Sequence, residues 1–287
     1  MTSHKILHVA ARLMLGSFLA VAVIAVPVCA DVLQYGGGEP SGKRSFGGGG
    51  HLVLFDAGKG GRWLNRIEMY GSRYGMEIPP DEDFHLYIVD ANRIILREVS
   101  LPYALWTRGQ EYWRDLPIPP IQVPQQFGIG LTFNAQQTKG VYVGTTKADP
   151  PGHSFSWIPG SPGQPMGAED WLIRVTLDDE AKGDPKAQDL FVQRTGEAYF
   201  DTFLSAVGNP LVLKLAGRRS VLQTDLTTMR LGAVSAPGEA PATLVLANGV
   251  KLPCTIVAID DKTIRTRDGA GNERQFARSD LARIDFR

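Results

Sequence analysis

The stretch Asn65-Arg-Ile-Glu-Met-Tyr-Gly-Ser-Arg-Tyr-Gly75 decides the fold class of this chain. Apolar Ile67 and Met69 alternate with polar residues, which predicts a β-strand with one face on a core. Gly71 and Gly75 interrupt the pattern. Glycine at such positions indicates unusual backbone dihedrals or the close approach of another backbone.

Similar short apolar runs surround this stretch, and Pro- and Gly-rich connections separate them. The turn Asp90-Ala91-Asn92 joins two of the runs into a predicted hairpin. Glycines 128 and 130 lie on one face of a further run, where we expect an aromatic ring or another element to approach closely. The predicted strands are 51–55, 64–70, 84–89, 93–99, 112–116, 127–133, 141–143, 154–157 and 171–177. This pattern predicts an all-β, antiparallel, jelly-roll-like β-sandwich over residues 47–178.

The composition changes after residue 178. Residues 179–189 are charged and small, which predicts a linker, and residues 190–287 contain an internal repeat. The copies 190–232 and 243–287 align Gly196 with Gly249, Asp225 with Asp280 and Met229 with Ile284. The sequence therefore predicts two small repeated β units. Asn248-Gly249 further predicts a type I′ hairpin turn, with positive φ at both residues.

The first thirty residues have the pattern of a secretory signal peptide. Lys5 and Arg12 precede an apolar run, and Val28-Cys29-Ala30 supplies small residues before a cleavage site at Asp31. An uncleaved membrane anchor and a lipoprotein signal are the alternatives. We predict an exported protein, periplasmic or extracellular, that keeps no stable membrane span after cleavage. Residues 31–46 then form a Gly-rich lead-in.

In the mature chain, the number of cysteines indicates whether a disulfide can form, and the net charge indicates the class of partner. Cleavage leaves only Cys254, so no internal disulfide is expected, and the apolar sequence around it predicts a buried thiol. Loss of Lys5 and Arg12, with no acidic residue lost, takes the formal net charge from 0 to about −2. A nearly neutral surface argues against nucleic acid as the main partner. The oligomeric state is left open.

Motifs for catalysis and metal binding are sparse. Histidines 51, 85 and 153 form no recognisable triad or zinc set, and His85 is expected to face solvent or form a hydrogen bond. Asp81-Glu82-Asp83 and Glu169-Asp170 lack the spacing of a calcium loop, so solvated turn carboxylates are the simpler interpretation. A glycosidase would need two carboxyl groups at a defined separation. The candidates for such a pair are Glu82, Asp83, Glu169 and Asp170.

Aromatic residues are concentrated in the part of the chain before residue 178. This part contains all five tryptophans. Trp171 is expected in the core. Trp63, Trp106 and Trp157 lie near strand ends or loops, so they are the candidates for an exposed, ligand-binding set. Exposed aromatic faces would suit a sugar ring or a peptide, whereas a sandwich core would use the same residue types.

Several motifs in order resemble a bacterial extracytoplasmic β-sandwich accessory domain, over about residues 41–178. The resemblance implies a module appended to unrelated proteins, with no established ligand or catalytic role. The C-terminal repeats loosely look like small SH3- or Sm-like barrels. The motifs of the sandwich are Gly47-Gly-Gly-Gly-His-Leu-Val-Leu-Phe55, Met69-Tyr-Gly-Ser-Arg-Tyr-Gly75, Asp83-Phe-His-Leu-Tyr-Ile-Val-Asp90, Lys139-Gly-Val-Tyr-Val-Gly144 and Asp170-Trp-Leu-Ile-Arg174.

These observations favour an exported, non-catalytic binding or accessory protein that needs no cofactor and no metal. Its expected partner is a surface polysaccharide, a cell-wall component or another exported protein. A carboxylate-dependent hydrolase is one alternative, and an assembly protein that pairs through exposed strand edges is another. A flat aromatic patch would favour the binding protein. A cleft with two converging carboxylates would favour the hydrolase.

Overall fold

The computed structural model describes residues 30–207, 212–217, 220–230, 234–235, 242–259, 262–268 and 271–286. The fold is all-β with antiparallel sheets, as the sequence pattern predicts. Helical structure in the described residues is confined to three short 3-10 turns, at Tyr103–Leu105, Gln223–Asp225 and Arg278–Asp280. None of these turns has the length or apolar character required to cross a bilayer. The predicted signal segment, 1–29, lies outside the described residues.

Two packed sheets form the sandwich. The first has the order β1-β14-β4-β10-β13, with β7 and β8 also on β4 and β2 also on β10; the second begins β12-β11-β3-β9-β5-β6. The strands are β1 (Asp31–Gln34), β2 (Gly42–Arg44), β3 (Gly50–Asp56), β4 (Arg62–Gly75), β5 (Asp83–Asp90), β6 (Ile95–Pro102), β7 (Tyr112–Leu116), β8 (Ile121–Val123), β9 (Gln126–Thr132), β10 (Lys139–Lys147), β11 (Ser154–Ser156), β12 (Gln164–Pro165), β13 (Glu169–Trp171) and β14 (Ile173–Asp178).

Strand β4 organises the first sheet because it pairs with β14 and β10 along one edge and with β7 and β8 along the other. Its two glycines behave as the sequence predicts. A Cβ atom on Gly71 would lie 2.3 Å from the carbonyl oxygen of Tyr142, and Gly75 has φ +89°. Both positions therefore require the absence of a side chain.

The core lies between the two sheets. Ile67 and Met69 of β4 face Leu86, Ile88 and the other inward residues of the second sheet, and all four are fully buried. Trp171 belongs to the same cluster, which confirms its predicted place. In a sandwich of this kind, every second side chain of each strand points inward, and the inward side chains of the two sheets together form the core.

The Gly-rich segment 31–46 is more ordered than a flexible lead-in. Asp31–Gln34 forms the edge strand β1 on β14, and Gly42–Arg44 forms β2 on β10. These two strands form because long-range pairing partners supply the hydrogen bonds that the local sequence does not suggest.

The C-terminal part contains two units with the same order of strand pairing. In the first unit β15 pairs with β16 and β20, and β18 with β17 and β19; in the second β23 pairs with β22 and β24, β22 also with β26, and β24 also with β25. The strands are β15 (Asp189–Gln193), β16 (Ala198–Asp201), β17 (Phe203–Val207), β18 (Val212–Leu215), β19 (Val221–Leu222), β20 (Leu226–Arg230), β21 (Val234–Ser235), β22 (Ala242–Leu246), β23 (Lys251–Ile259), β24 (Thr263–Arg267), β25 (Glu273–Ala277) and β26 (Leu281–Phe286).

The register reproduces the alignment of the two repeats. Phe191 pairs with Met229 in the first unit, and Leu244 pairs with Ile284 in the second. A bulge follows at the equivalent place in both units, next to the residue that pairs with Leu226 or Leu281. In each unit a 3-10 turn directly precedes the last strand.

The predicted type I′ turn at Asn248-Gly249 is wrong. Gly249 has φ +86°, but Asn248 is not among the described non-glycine residues with positive φ, which are Arg93 and Asn134. The amide of Gly249 donates to the carbonyl of Leu246 at 2.8 Å, and that of Leu246 donates to Val250 at 2.7 Å. This pattern is a three-residue loop with a left-handed glycine in its last position, and its twist suits a hairpin equally well.

Strands and ion pairs join the C-terminal part to the sandwich. Strand β21 pairs with β6 at the edge of the second sheet. The Arg230 guanidinium binds the Asp83 carboxylate at 2.9 Å, and Lys251 forms an ion pair with Asp81. The proposed boundary at 179–189 stays a prediction.

Candidate functional site

Two of the three tryptophans predicted to be exposed are buried. Trp106 is 2% exposed and Trp157 is 1% exposed, so the predicted exposure is wrong for both rings. Trp106 follows the 3-10 turn and packs against Phe84 and Phe133, with ring centroids 6.5 Å apart in each case. The turn carries the ring into one end of the core rather than toward solvent.

Trp157 is buried because its loop folds back over the outer face of the second sheet. The ring lies on Gly130, where an added Cβ atom would be 2.5 Å from a ring carbon, and it contacts Tyr87 edge to face. Its indole nitrogen donates to the carbonyl of Ser161 at 3.1 Å. The prediction that an aromatic ring lies close to Gly130 is confirmed. The ring is that of Trp157, which the sequence predicted to be exposed.

Trp63 is half-buried near the start of β4. Its neighbour Leu64 faces the core, so alternation places Trp63 on the outer face of the first sheet. A ligand-binding role for Trp63 stays a prediction.

The outer face of the first sheet carries a group of half-buried aromatic rings. We call Tyr70, Tyr74, Trp113 and Tyr142 the aromatic face. Tyr70 pairs with Trp113 across β4 and β7, and their ring centroids are 5.8 Å apart. Tyr74 and Tyr142 lie 4.5 Å apart on β4 and β10. Three neighbouring strands therefore present aromatic rings on one side of a sheet.

Glycines of β10 make room for two of these rings. A Cβ atom on Gly140 would lie 2.3 Å from the hydroxyl oxygen of Tyr74, and one on Gly144 would lie 2.7 Å from a ring carbon of Tyr70. Both tyrosine rings thus lie close over the β10 backbone. Tyr74 is fixed further by its hydroxyl, which donates to the carbonyl of Gln136 at 3.0 Å.

Charged groups frame the aromatic face. Arg174 donates two hydrogen bonds of 2.9 Å to the nearly buried Glu68, and its guanidinium lies 4.2 Å from the Trp113 ring centroid. The hydrogen bonds to Glu68 raise the pKa of Arg174. The cation is thus permanently charged and held in place. On the other side, Lys43 lies over Tyr142 and forms an ion pair with Glu111.

The sequence analysis missed this set, although one signal was present. In β4 the residues Tyr70 and Tyr74 alternate with Met69 and Gly71 in the period of a strand. Because Met69 faces the core, that period already places both tyrosines on the opposite face. The position of β7, which brings Trp113 beside Tyr70, depends on long-range pairing and is not visible in the sequence.

Three of the four candidate carboxylates form ion pairs, and the fourth is buried. Glu82 forms an ion pair with Lys139, Asp83 with Arg230, and Glu169 with Arg44. Asp170 is fully buried, and neither of its oxygens has a hydrogen-bond partner in the described part of the chain.

Metal ligands are also scattered. Within the described residues, no three histidine, cysteine or carboxylate side chains lie close enough together to hold a metal ion. His51 is buried against Phe46 and Trp171, and burial lowers its pKa to about 3. His85 lies 3.0 Å from Glu98, in line with the predicted polar contact. His153 stacks on Tyr35 at 3.6 Å.

Cys254 is half-buried and unpaired, and burial raises the pKa of its thiol to about 11. The thiol is therefore uncharged and poorly nucleophilic near neutral pH.

Comparisons with known proteins give no family to which these features can be assigned. No protein-family model matches the chain, and a search of curated proteins finds no significant match.

Proposed function

We propose that this chain is an exported, non-catalytic binding protein whose aromatic face recognises a polysaccharide of the cell surface or cell wall. The observation that supports the proposal is the group of Tyr70, Tyr74, Trp113 and Tyr142 on adjoining strands of one sheet. The resemblance of residues 41–178 to an accessory domain agrees with a binding role. Export is supported by the leader pattern of residues 1–30.

The chemistry of the face suits a sugar polymer. The C–H groups on one side of a pyranose ring can stack on an aromatic ring, while hydroxyl groups at the rim bond to charged side chains. Arg174, Lys43 and Glu111 are placed to supply such bonds around the rings. The open face of a sheet favours an extended or insoluble chain over a small sugar, which would require a concave site.

The test is co-sedimentation of the mature protein with insoluble glycans and cell-wall preparations. Trp113→Ala and Tyr142→Ala are expected to abolish retention, with the fold intact by circular dichroism. Gly144→Ala keeps every aromatic ring but forces the Tyr70 ring to move, so it should weaken retention as well. Ile94→Ala, at an exposed site on the other sheet, is the control.

Retention that survives Trp113→Ala and Tyr142→Ala would contradict the proposed face. Aromatic residues with arginine are also the composition of protein-binding hot spots. If no glycan is retained and the same substitutions abolish cross-linking to an exported protein, the partner is a protein. Soluble product released from a glycan would favour the hydrolase instead.

Export has a separate test. N-terminal sequencing of the protein from the exported fraction is expected to begin at Asp31. An intact Met1 in the membrane fraction would show that the leader is retained as an anchor.

A further inference from the structure

A concave site lies between the two repeated units, far along the chain from the aromatic face. The cleft has a volume of about 800 Å³. One wall comes from β17, β18 and β20 of the first unit, and the other comes from the β22–β23 turn, β25 and the last 3-10 turn of the second.

Apolar side chains line the cleft without being fully buried. Phe203, Val250 and Phe276 are half-buried, and Leu204 is 62% exposed. Met229 forms part of the floor and belongs to the core shared by the two units. Partly exposed apolar groups gathered around a concavity mark a binding site more often than scattered surface residues do.

The charged residues in the lining of the cleft are one cation, Arg194, and one carboxylate, Asp280, which accepts a hydrogen bond from the Ser279 hydroxyl at 3.2 Å. The Arg194 side chain uses its Nε to donate to the carbonyl of Thr224 at 2.6 Å, which fixes its position. Its terminal nitrogens have no ion-pair partner in the described part of the chain. The equivalent residue of the second repeat is Ala247, so this charge is not required by the shared fold. Arg194 is thus available to bind an anionic group at the mouth of the cleft.

Size and chemistry together define the class of ligand. A volume of this order is typical of sites for small molecules, whereas macromolecular surfaces are flatter. We propose that the cleft between the repeats binds a small amphipathic anion. Its apolar body contacts Phe203, Leu204 and Phe276, and its carboxylate or phosphate contacts Arg194. This inference does not depend on the polysaccharide proposal, because it concerns different residues.

The experiment is calorimetric titration of the full mature protein with sodium decanoate below its micellar concentration, and with decan-1-ol as the neutral analogue. We expect decanoate to bind about ten-fold more tightly than decanol, because a charge-assisted hydrogen bond to Arg194 is available only to the carboxylate. Arg194→Gln should remove that difference. Leu204→Gln should weaken the binding of both compounds.

Matched controls are present in the chain. Arg265→Gln removes an exposed arginine outside the cleft, and Leu222→Gln changes an exposed leucine outside it. Neither should alter binding. No binding of decanoate, or binding that Arg194→Gln and Leu204→Gln leave unchanged, would overturn the proposal. Loss of binding in the two controls as well would also overturn it.

Discussion

At the scale of single residues, Gly130 decides where the Trp157 ring can lie. The ring rests on the backbone of β9, and any Cβ atom at position 130 would overlap it. Gly130→Val is therefore expected to lower the free energy of unfolding by about 1–3 kcal/mol, because the indole must leave its site or the strand must shift. Urea unfolding followed by tryptophan fluorescence measures the loss.

Gly37 provides the matched control for this substitution. No atom lies within 4 Å of a Cβ added there, and its backbone is not in the left-handed region. Gly37→Val should leave the free energy of unfolding within about 0.5 kcal/mol of that of the parent protein. An unchanged midpoint for Gly130→Val would mean that the Trp157 loop is not packed on the sheet in solution.

His51 makes the stability of the sandwich depend on pH. Burial lowers its pKa to about 3 in the folded protein, while the unfolded chain has an ordinary histidine pKa of about 6.5. Between these values only the unfolded state binds the proton, so stability falls as the pH falls. The slope attributable to His51 approaches ~1.4 kcal/mol per pH unit.

The His51→Leu variant tests this assignment through the slope rather than through absolute stability. The free energy of unfolding is measured by chemical unfolding at several pH values between 4 and 6. In the variant it should depend less steeply on pH, by the slope that corresponds to the uptake of about one proton. Lost contacts with Phe46 and Trp171 lower stability at every pH and do not affect the comparison. Equal slopes in the two proteins would show that His51 accepts a proton in the folded state.

At the scale of strands and turns, local pattern was a reliable guide. Alternation located β3, β4, β5 and β9 to within a few residues, except that β4 continues to Gly75. The hairpin after Asp90 was also found from its turn residues, although Arg93 rather than Asn92 takes the positive φ. These features depend on side-chain period and turn chemistry, which are local properties of a sequence.

The predictions that are wrong concern segments whose packing partners lie far away in the sequence. The position of Trp157 in a loop says nothing about whether the loop folds back, and its burial depends on Gly130 and Tyr87. Strand β1 has a weak local signal and exists as an edge of β14. The aromatic face likewise requires β7 to lie beside β4. None of these contacts is encoded within one window of sequence.

Strands β20 and β5 are joined by an ion pair that is almost buried. The side chains of Arg230 and Asp83 are each 10% exposed. Arg230→Met is expected to lower the free energy of unfolding by about 3 kcal/mol, because it removes one partner of an ion pair that is nearly excluded from solvent. Thermal and urea unfolding measure the change.

The exposed pair of Lys251 and Asp81 serves as the comparison. Asp81 is 73% exposed, so Lys251→Met should change the stability by no more than about 1 kcal/mol. If Lys251→Met and Arg230→Met lower the free energy of unfolding equally, burial is not the reason why the Arg230–Asp83 pair stabilises the protein.

At the scale of the whole molecule, the sandwich and the C-terminal part share structure. Leu190 and Val192 of β15 belong to the sandwich core cluster, although they lie beyond the predicted linker. The side-chain amide of Asn65 in β4 binds the linker twice: its Nδ2 donates to the carbonyl of Glu180, and its Oδ1 accepts from the backbone amide of Lys182. A change in composition near residue 179 therefore does not require two independently stable domains.

This view predicts that the sandwich loses stability when the C-terminal part is removed. All five tryptophans precede residue 178, so tryptophan fluorescence reports on the sandwich alone. A fragment of residues 31–188 lacks Leu190 and Val192, each of which contributes about 1.5–3 kcal/mol through burial. Its fluorescence-detected unfolding in urea should occur at a clearly lower midpoint than in the mature chain.

Leu190→Ala in the whole chain separates loss of core contacts from the effect of truncation itself. The substitution should lower the fluorescence-detected stability by about 2–4 kcal/mol while keeping every strand of the C-terminal units. If the fragment and the Leu190→Ala protein both unfold at the midpoint of the mature chain, the sandwich is a domain that needs nothing beyond residue 188. If both are destabilised, β15 is a functional part of the sandwich core, and the boundary lies after it.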